Sequence, residues 1–329
     1  MKSACPELTT NETYTYYAPS FAGTSNSLNP IVTWEDGLDT DEDIAVISTH
    51  NYISGATVPG VTLQGTLMNH TSNILSIAKQ LNESRLLAAL PDSLEPDLPF
   101  VMGETNSLYN QGRPGLSNTF GAALWGVDFN LWCATNNISR VHMHQGTNYR
   151  YQAWQPVATA LDSAGTKAPY YGQVAVAAFL GDIAAAAPRI VNLPLPSERE
   201  SAYAAYVDGK LARLIVVNMM AYNATDYNNN FTDAYPRPVE RYQFHLPRSA
   251  RGGVVQLQRL MANGSDAITG VTFDGYSYNY ELEEGRPVML GNVTRGETAK
   301  VGRRGLLEIG VPRSSAVIVS FGKRAGGYY

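Results

Sequence analysis

The chain has 329 residues, 44% of them apolar and 16% charged, which suits a folded globular protein with enough length for two cores and excludes a disordered or fibrous one. Its 24 basic and 29 acidic residues leave a net charge of −5, with no basic run and no stripe of Lys and Arg interleaved with aromatics, so the electrostatic footprint of a nucleic-acid binder is missing. No apolar run is long enough for a membrane span; the best, Val174 to Ala187, is broken by Gly181 and Asp182 and reads as a core helix.

From the N-terminus, Met1 to Pro6 lack the apolar segment of a secretory leader. Asn-x-Ser/Thr acceptors nonetheless stand at Asn11, Asn69, Asn82, Asn137, Asn223, Asn230, Asn263 and Asn292. Chance would give about three, so the excess predicts a secreted, glycosylated lineage. Cys5 and Cys133 are the only cysteines. They support no disulfide framework, and Cys133, inside an apolar helical pattern, reads as a small buried hydrophobe rather than a bridge partner.

Four strands are predicted in the first half, at Thr15 to Pro19, Ile44 to Tyr52, Pro99 to Gly103 and Arg140 to His144, alternating with helical patterns as βα units around a parallel sheet do. Between the last two, Phe120, Leu124, Val127 and Leu131 recur at helical spacing behind a Ser117 cap, while Trp125, Phe129 and Trp132 form a second apolar face. Such a helix should lie buried between two layers. After Pro188 the pattern changes to period-two strands over Tyr203 to Val207, Leu211 to Met219, Arg241 to Leu246, Val254 to Leu260, Val271 to Tyr280 and Ala316 to Phe321, with hairpin signals at Asp208-Gly209 and Asp274-Gly275. The expected organisation is therefore α/β plus all-β: residues 1–187 as the C-terminal half of a (β/α)8 barrel, and 188–329 as a β-sandwich. Four βα units make half a barrel and leave a sheet edge unpaired, so the chain is expected to be the C-terminal part of something longer.

The chemistry concentrates in Phe100-Val101-Met102-Gly103-Glu104-Thr105-Asn106-Ser107-Leu108-Tyr109-Asn110-Gln111-Gly112, where an apolar run ends at a lone carboxylate. Pro99 on one side, and Gly112, Pro114 and Gly115 on the other, place Glu104 at the C-terminal tip of a short buried strand, the position at which barrels carry catalytic groups. In His50-Asn51-Tyr52 the His and Tyr alternate with Asn51 and share a strand face. His142 and His144 share a face too, but two histidines without a third ligand of clear spacing are weak support for a metal; a packed pair or a sugar contact by His144 fits better. No cofactor is expected, since there is neither a phosphate loop nor a Gly-x-Ser-x-Gly elbow.

These residues, with Val141 to Tyr149 and the trailing β domain, resemble glycoside hydrolase family 79, the β-glucuronidases and heparanases, from about Thr15 onward. The resemblance numbers the four strands five to eight. It implies that Glu104 is the nucleophile of a retaining β-glucuronidase acting on a glucuronide or a glucuronic-acid-containing glycan, with a second carboxyl about 5 Å away as acid/base. In the family that acid lies in an Asn-Glu pair on strand four, which would precede Met1. Asn11-Glu12 is the only Asn-Glu pair upstream of the first strand and reads as part of a glycosylation acceptor. The chain as given is therefore expected to be inactive. By the same resemblance Tyr109 and neighbouring amides hold the uronate carboxylate, with Gly112 the surest contact and Arg113 a charged alternative; where the family often has glycines, this chain has Asn110 and Gln111. Tyr52 and His50 would line the nucleophile, and Tyr149 or Tyr151 the sugar. Two rival readings stay open: a non-catalytic glycan-binding or structural remnant, and a related glycosidase for a neutral sugar.

Overall fold

The computed structural model describes residues 15–24, 28–91, 98–223 and 236–322. Cys5, the Asn11-Glu12 pair and Asn230 lie outside the described residues. Strands β1 (Tyr16–Phe21), β2 (Ile44–Gly55), β3 (Phe100–Tyr109) and β4 (Ile138–Met143) form one parallel sheet in chain order. The intervening helices are α1 (Pro30–Glu35), α2 (His70–Ser76), α3 (Ala78–Leu87) and α4 (Phe120–Thr135), with a π turn at Leu63–Leu67. Asn29 caps α1 ahead of Pro30, and Asn69 caps α2 by accepting the Ser72 N–H at 3.0 Å. Trp34, Leu81, Leu87, Trp125, Phe129 and Cys133 from these helices pack with Ile47, Phe100, Met102 and Ile138 on one face of the sheet.

A bulge in β3 decides what the other face carries. Met102 pairs with Thr49 and Glu104 with His50, so Gly103 is left unmatched and the side-chain parity flips at that point. Phe100 and Met102 face the helices, whereas Glu104 joins Tyr52 on the open face. A Cβ on residue 103 would lie 1.9 Å from Ser48 Oγ, so any larger residue there would displace the Ser48 hydroxyl. Glu104 is not at a strand tip, the position the sequence pattern suggested: β3 continues five residues beyond it, because the buried Thr105, Asn106 and Ser107 keep the backbone paired with β2, while the Asn106 amide and the Ser107 hydroxyl find partners in the segments at His144 to Tyr151 and Ser117.

Helix α4 lies between two layers. Ala122, Trp125, Phe129 and Cys133 face the parallel sheet, and Phe120, Ala123, Leu124, Val127 and Leu131 face the β domain. Its cap is Thr119, not Ser117; Ser117 is buried, its hydroxyl accepting from the Arg113 N–H at 3.0 Å and from Ser107 Oγ at 2.9 Å. After β4 a short ladder of β5 (Trp154–Gln155) and β6 (Gly165–Thr166) precedes α5 (Ala168–Leu180). The core helix read as Val174 to Ala187 thus starts earlier and stops at Gly181, with φ of +71°, where Arg213 donates to Phe179 O at 2.5 Å and Leu180 O at 2.8 Å.

The β half begins with β7 (Arg189–Asn192), β8 (Glu200–Val207), β9 (Lys210–Asn218), β10 (Val239–His245) and β11 (Val254–Met261). It continues through β12 (Thr272–Phe273), β13 (Tyr276–Ser277), helix α6 (Tyr280–Glu283), β14 (Val288–Met289), β15 (Glu297–Lys300), β16 (Leu306–Pro312) and β17 (Ser315–Ser320). Among the described residues it is a lopsided sandwich, with nine strands in one antiparallel sheet and only β10 and β16 in the second layer. Tyr203, Ala205, Ile215, Val217, Ala316 and Ile318 face α4 and α5, while Ala202, Ala204, Leu214, Val216, Val317 and Val319 face the two-stranded layer. Burial on both faces explains why β8, β9 and β17 read as nearly continuous apolar runs. Asp208-Gly209 and Asp274-Gly275 are left-handed turn pairs, and the second splits the stretch read as one strand over Val271 to Tyr280.

Candidate functional site

The open face of the parallel sheet gathers Tyr52 from β2, Glu104 from β3, and His144 and Tyr151 from the segment after β4. The Tyr52 hydroxyl donates to Glu104 Oε1 at 2.8 Å and lies 3.2 Å from His144 Nδ1; the Tyr151 hydroxyl lies 2.9 Å from the same nitrogen. His144 Nδ1 is 3.6 Å from Glu104 Oε1. The Glu104 and His144 side chains are 36% and 37% exposed, so the cluster is open to a ligand. Burial, followed by hydrogen bonding to Tyr151 and Glu104, pushes the Tyr52 phenol far above its ordinary value, so it remains a donor. Burial likewise raises Tyr151.

The aromatic residues divide into walls and supports. Tyr109 is 44% exposed, packs its ring over Gly55 and meets Tyr52 edge-on with centroids 6.5 Å apart. Tyr149 covers Gly146 and stands edge-on to His144 at 5.6 Å. Tyr151 is only 3% exposed, so of the two alternatives Tyr149 is the more accessible and Tyr151 lies beneath. His50 stands level with Glu104, its carbonyl accepting from Gln80 at 3.1 Å, and its ring makes no hydrogen bond among the described residues. His142 is exposed and packs edge-on against Tyr17 at 6.2 Å, apart from Glu104.

Gly112 has a different part from the expected amide contact. Its N–H is committed to Leu108 O at 3.1 Å, and its φ of +76° closes a left-handed turn begun by Asn110 and Gln111, at +62° and +67°. The non-glycine residues that depart from the family pattern therefore adopt the strained backbone themselves. Arg113 is exposed beside this turn, and the Arg150 N–H donates to Gln111 O at 2.6 Å, joining the two loops that flank Glu104.

Pattern reading missed Asn106. It is 4% exposed and its Nδ2 donates to His144 O at 3.0 Å and Tyr151 O at 3.3 Å. The available signal was a run of three polar residues inside a strand, which must be satisfied if buried. Also missed was a cluster under α4: Asp128 is fully buried and takes hydrogen bonds from His70 Nδ1 at 2.9 Å, Tyr203 at 2.6 Å and Asn73 at 2.5 Å. No grouping of three His, Cys, Asp or Glu among the described residues could hold a metal ion. Of the described acceptors, Asn82, Asn137, Asn223, Asn263 and Asn292 are exposed. Asn69 is a correction: it is 6% exposed and occupied as a helix cap.

Residues 202–318 match the glycosyl hydrolase family 79 C-terminal beta domain. A β-glucuronidase of Aspergillus niger is 58% identical over 96% of the chain, and one of Neurospora crassa 49% identical over 96%. The chain spans 58% and 61% of those two relatives' lengths. Among solved structures, a 4-O-α-L-rhamnosyl-β-D-glucuronidase of Fusarium oxysporum in complex with Rha-GlcA superposes with a TM-score of 0.75 at 23% identity, covering 97% of this chain and 62% of that one. This last likeness concerns the fold.

Proposed function

The chain belongs to glycoside hydrolase family 79, and from that premise we propose that it carries the nucleophile side of a retaining β-glucuronidase site, acting on terminal β-glucuronides. The observation that carries the reading is the bond from Tyr52 to Glu104 on an open sheet face, a carboxylate oriented by a half-buried phenol. On this reading Tyr109 and the exposed Asn110 and Gln111 receive the uronate, with Tyr149 and His50 as further walls. Four parallel strands in chain order with their helices on one face support strands five to eight of a (β/α)8 barrel over residues 1–187, followed by the β domain over 188–329. Glu104 is the only acidic residue on those four strands, so the acid/base is assigned outside them. The Asn-x-Ser/Thr acceptors support a secreted setting.

The test avoids the need for a general acid. A 2-deoxy-2-fluoro-glucuronyl fluoride loses fluoride without protonation, so the nucleophile alone can form the glycosyl-enzyme ester. Intact-mass analysis is expected to show one adduct, mapped to Glu104 and absent from Glu104→Gln. An adduct elsewhere, or none, sinks the assignment. Calorimetric binding of glucuronic acid without labelling would favour a glycan-binding protein instead, and equal labelling by a neutral fluoro-glycoside would move the specificity away from uronides.

A further inference from the structure

Two phenols, a carboxylate and an imidazole nitrogen meet at Glu104. Tyr52 lies 2.8 Å from Glu104 Oε1 and 3.2 Å from His144 Nδ1, and Tyr151 lies 2.9 Å from that nitrogen. Burial keeps both phenols protonated, so each has one proton to give. A carboxylate is the stronger acceptor and makes the shorter contact, so the Tyr52 proton goes to Glu104. Tyr151 then has two acceptors in reach, the Tyr52 hydroxyl oxygen and His144 Nδ1 at 2.9 Å; the imidazole nitrogen is the stronger base, so the Tyr151 proton goes to Nδ1, which must offer a lone pair. The neutral ring carries its own proton on Nε2, an atom with no hydrogen-bond partner among the described residues, in a side chain 37% exposed.

Asn106 fixes this arrangement from below. Its amide donates to the carbonyls of both His144 and Tyr151, and its Oδ1 accepts the Ser107 N–H at 2.8 Å. One buried side chain thus sets the distance between the imidazole and the phenol that addresses it.

We infer that Tyr151 and Asn106 are positioning residues that hold His144 as the Nε2–H tautomer, with Nε2–H presented as a donor to the sugar ring seated against Glu104. The tautomer follows from the geometry; the sugar contact rests on the glycosidase reading. Tyr151 acts only through His144, being too buried to touch substrate.

The experiment is long-range 1H–15N correlation of the imidazole nitrogens in the full chain at pH 8, above the ordinary histidine value of about 6.5. The His144 signals are assigned by their loss in His144→Gln. A protonated Nε2 with a bare Nδ1 is expected, shifting toward a tautomer mixture in Tyr151→Phe and in Asn106→Ala. A protonated Nδ1 in the wild type, or a spectrum unchanged by Tyr151→Phe, overturns the inference; if that variant does not fold, the wild-type spectrum decides alone. Labelling by the fluoro-glucuronyl donor gives the second readout. Tyr151→Phe and His144→Ala should raise the half-saturating donor concentration about tenfold, the effect of one hydrogen bond, while His144→Gln, whose amide can replace Nε2–H, should recover most of it. A wild type that never labels counts against the glucuronidase reading, and the spectrum still judges the tautomer.

Discussion

Tyr52 and Glu104 are 52 positions apart in the chain and 2.8 Å apart across neighbouring strands, joined by a hydrogen bond from a half-buried phenol to a half-open carboxylate. The pairing depends on the bulge at Gly103, because register alone would turn Glu104 toward the helices. The residue that breaks the strand's alternation is thus the one that delivers the carboxylate to the open face.

Removing the Tyr52 hydroxyl leaves Glu104 without its donor. Tyr52→Phe should slow labelling of Glu104 by about 10- to 100-fold, the range for a hydrogen bond to a charged group. Since the phenol is raised far above its ordinary value by burial first and by its hydrogen bonds next, it keeps its proton through mildly alkaline pH. The wild-type labelling rate should therefore show no alkaline decline from Tyr52 up to roughly pH 9, short of the ordinary tyrosine value near 10. A rate indifferent to the substitution counts against Tyr52 as the partner of Glu104.

Gly112 and Gly209 share nearly the same backbone, with φ of +76° and +72°, but not the same surroundings. A Cβ on residue 112 would meet Ser117 Cβ at 2.8 Å and Tyr151 N at 2.9 Å, whereas one on 209 meets nothing within 4 Å. Gly209→Ala should cost about 1 kcal/mol for the left-handed conformation alone. Gly112→Ala should cost about 2–4 kcal/mol by adding overpacking, and should also displace Tyr151. Urea denaturation of both variants checks the difference, and equal losses would remove the packing role.

What the sequence disclosed was the part carried by local pattern. The four parallel strands, the doubly apolar helix at Phe120, the burial of Cys133 and the Asp-Gly turns all follow from periodicity and turn chemistry acting within a few residues. Glu104 was picked out because a carboxylate ending an apolar run is uncommon, and Tyr52 because it shares a parity with His50. Strand length was misjudged because Thr105, Asn106 and Ser107 look like a loop until their partners across the sheet are known. The role of Asn106 and the charge beneath α4 depend on residues 38 to 75 positions away, which no local pattern encodes.

Glycan attachment separates exposed acceptors from the buried one. Expressed through a secretory pathway, the chain should carry glycans at some or all of Asn82, Asn137, Asn223, Asn263 and Asn292, and none at Asn69, whose side chain is buried as the α2 cap. Site mapping by peptide mass spectrometry after deglycosylation in heavy-oxygen water reads this out. Occupancy at Asn69 would mean that α2 is not capped in this way.

The Asp128 cluster joins the two halves of the molecule, since Asp128 lies on α4, His70 and Asn73 on α2, and Tyr203 on β8 of the large antiparallel sheet. Burial alone would raise the carboxyl, and the bonds from His70, Tyr203 and Asn73 outweigh it, leaving Asp128 below its ordinary 3.8. A carboxyl that is more acidic folded than unfolded adds stability that is complete above the unfolded value and is lost as pH falls toward the folded one. Asp128→Asn should therefore cost about 3 kcal/mol at neutral pH, because it leaves His70 and Tyr203 without a charged acceptor. Below pH ~4 the gap between variant and wild type should narrow, as the unfolded chain takes up a proton that the native carboxyl still refuses. Urea midpoints measured from pH 7 to pH 3 test both halves of the expectation; a penalty that stays constant across that range would make the cluster a packing feature without an electrostatic contribution.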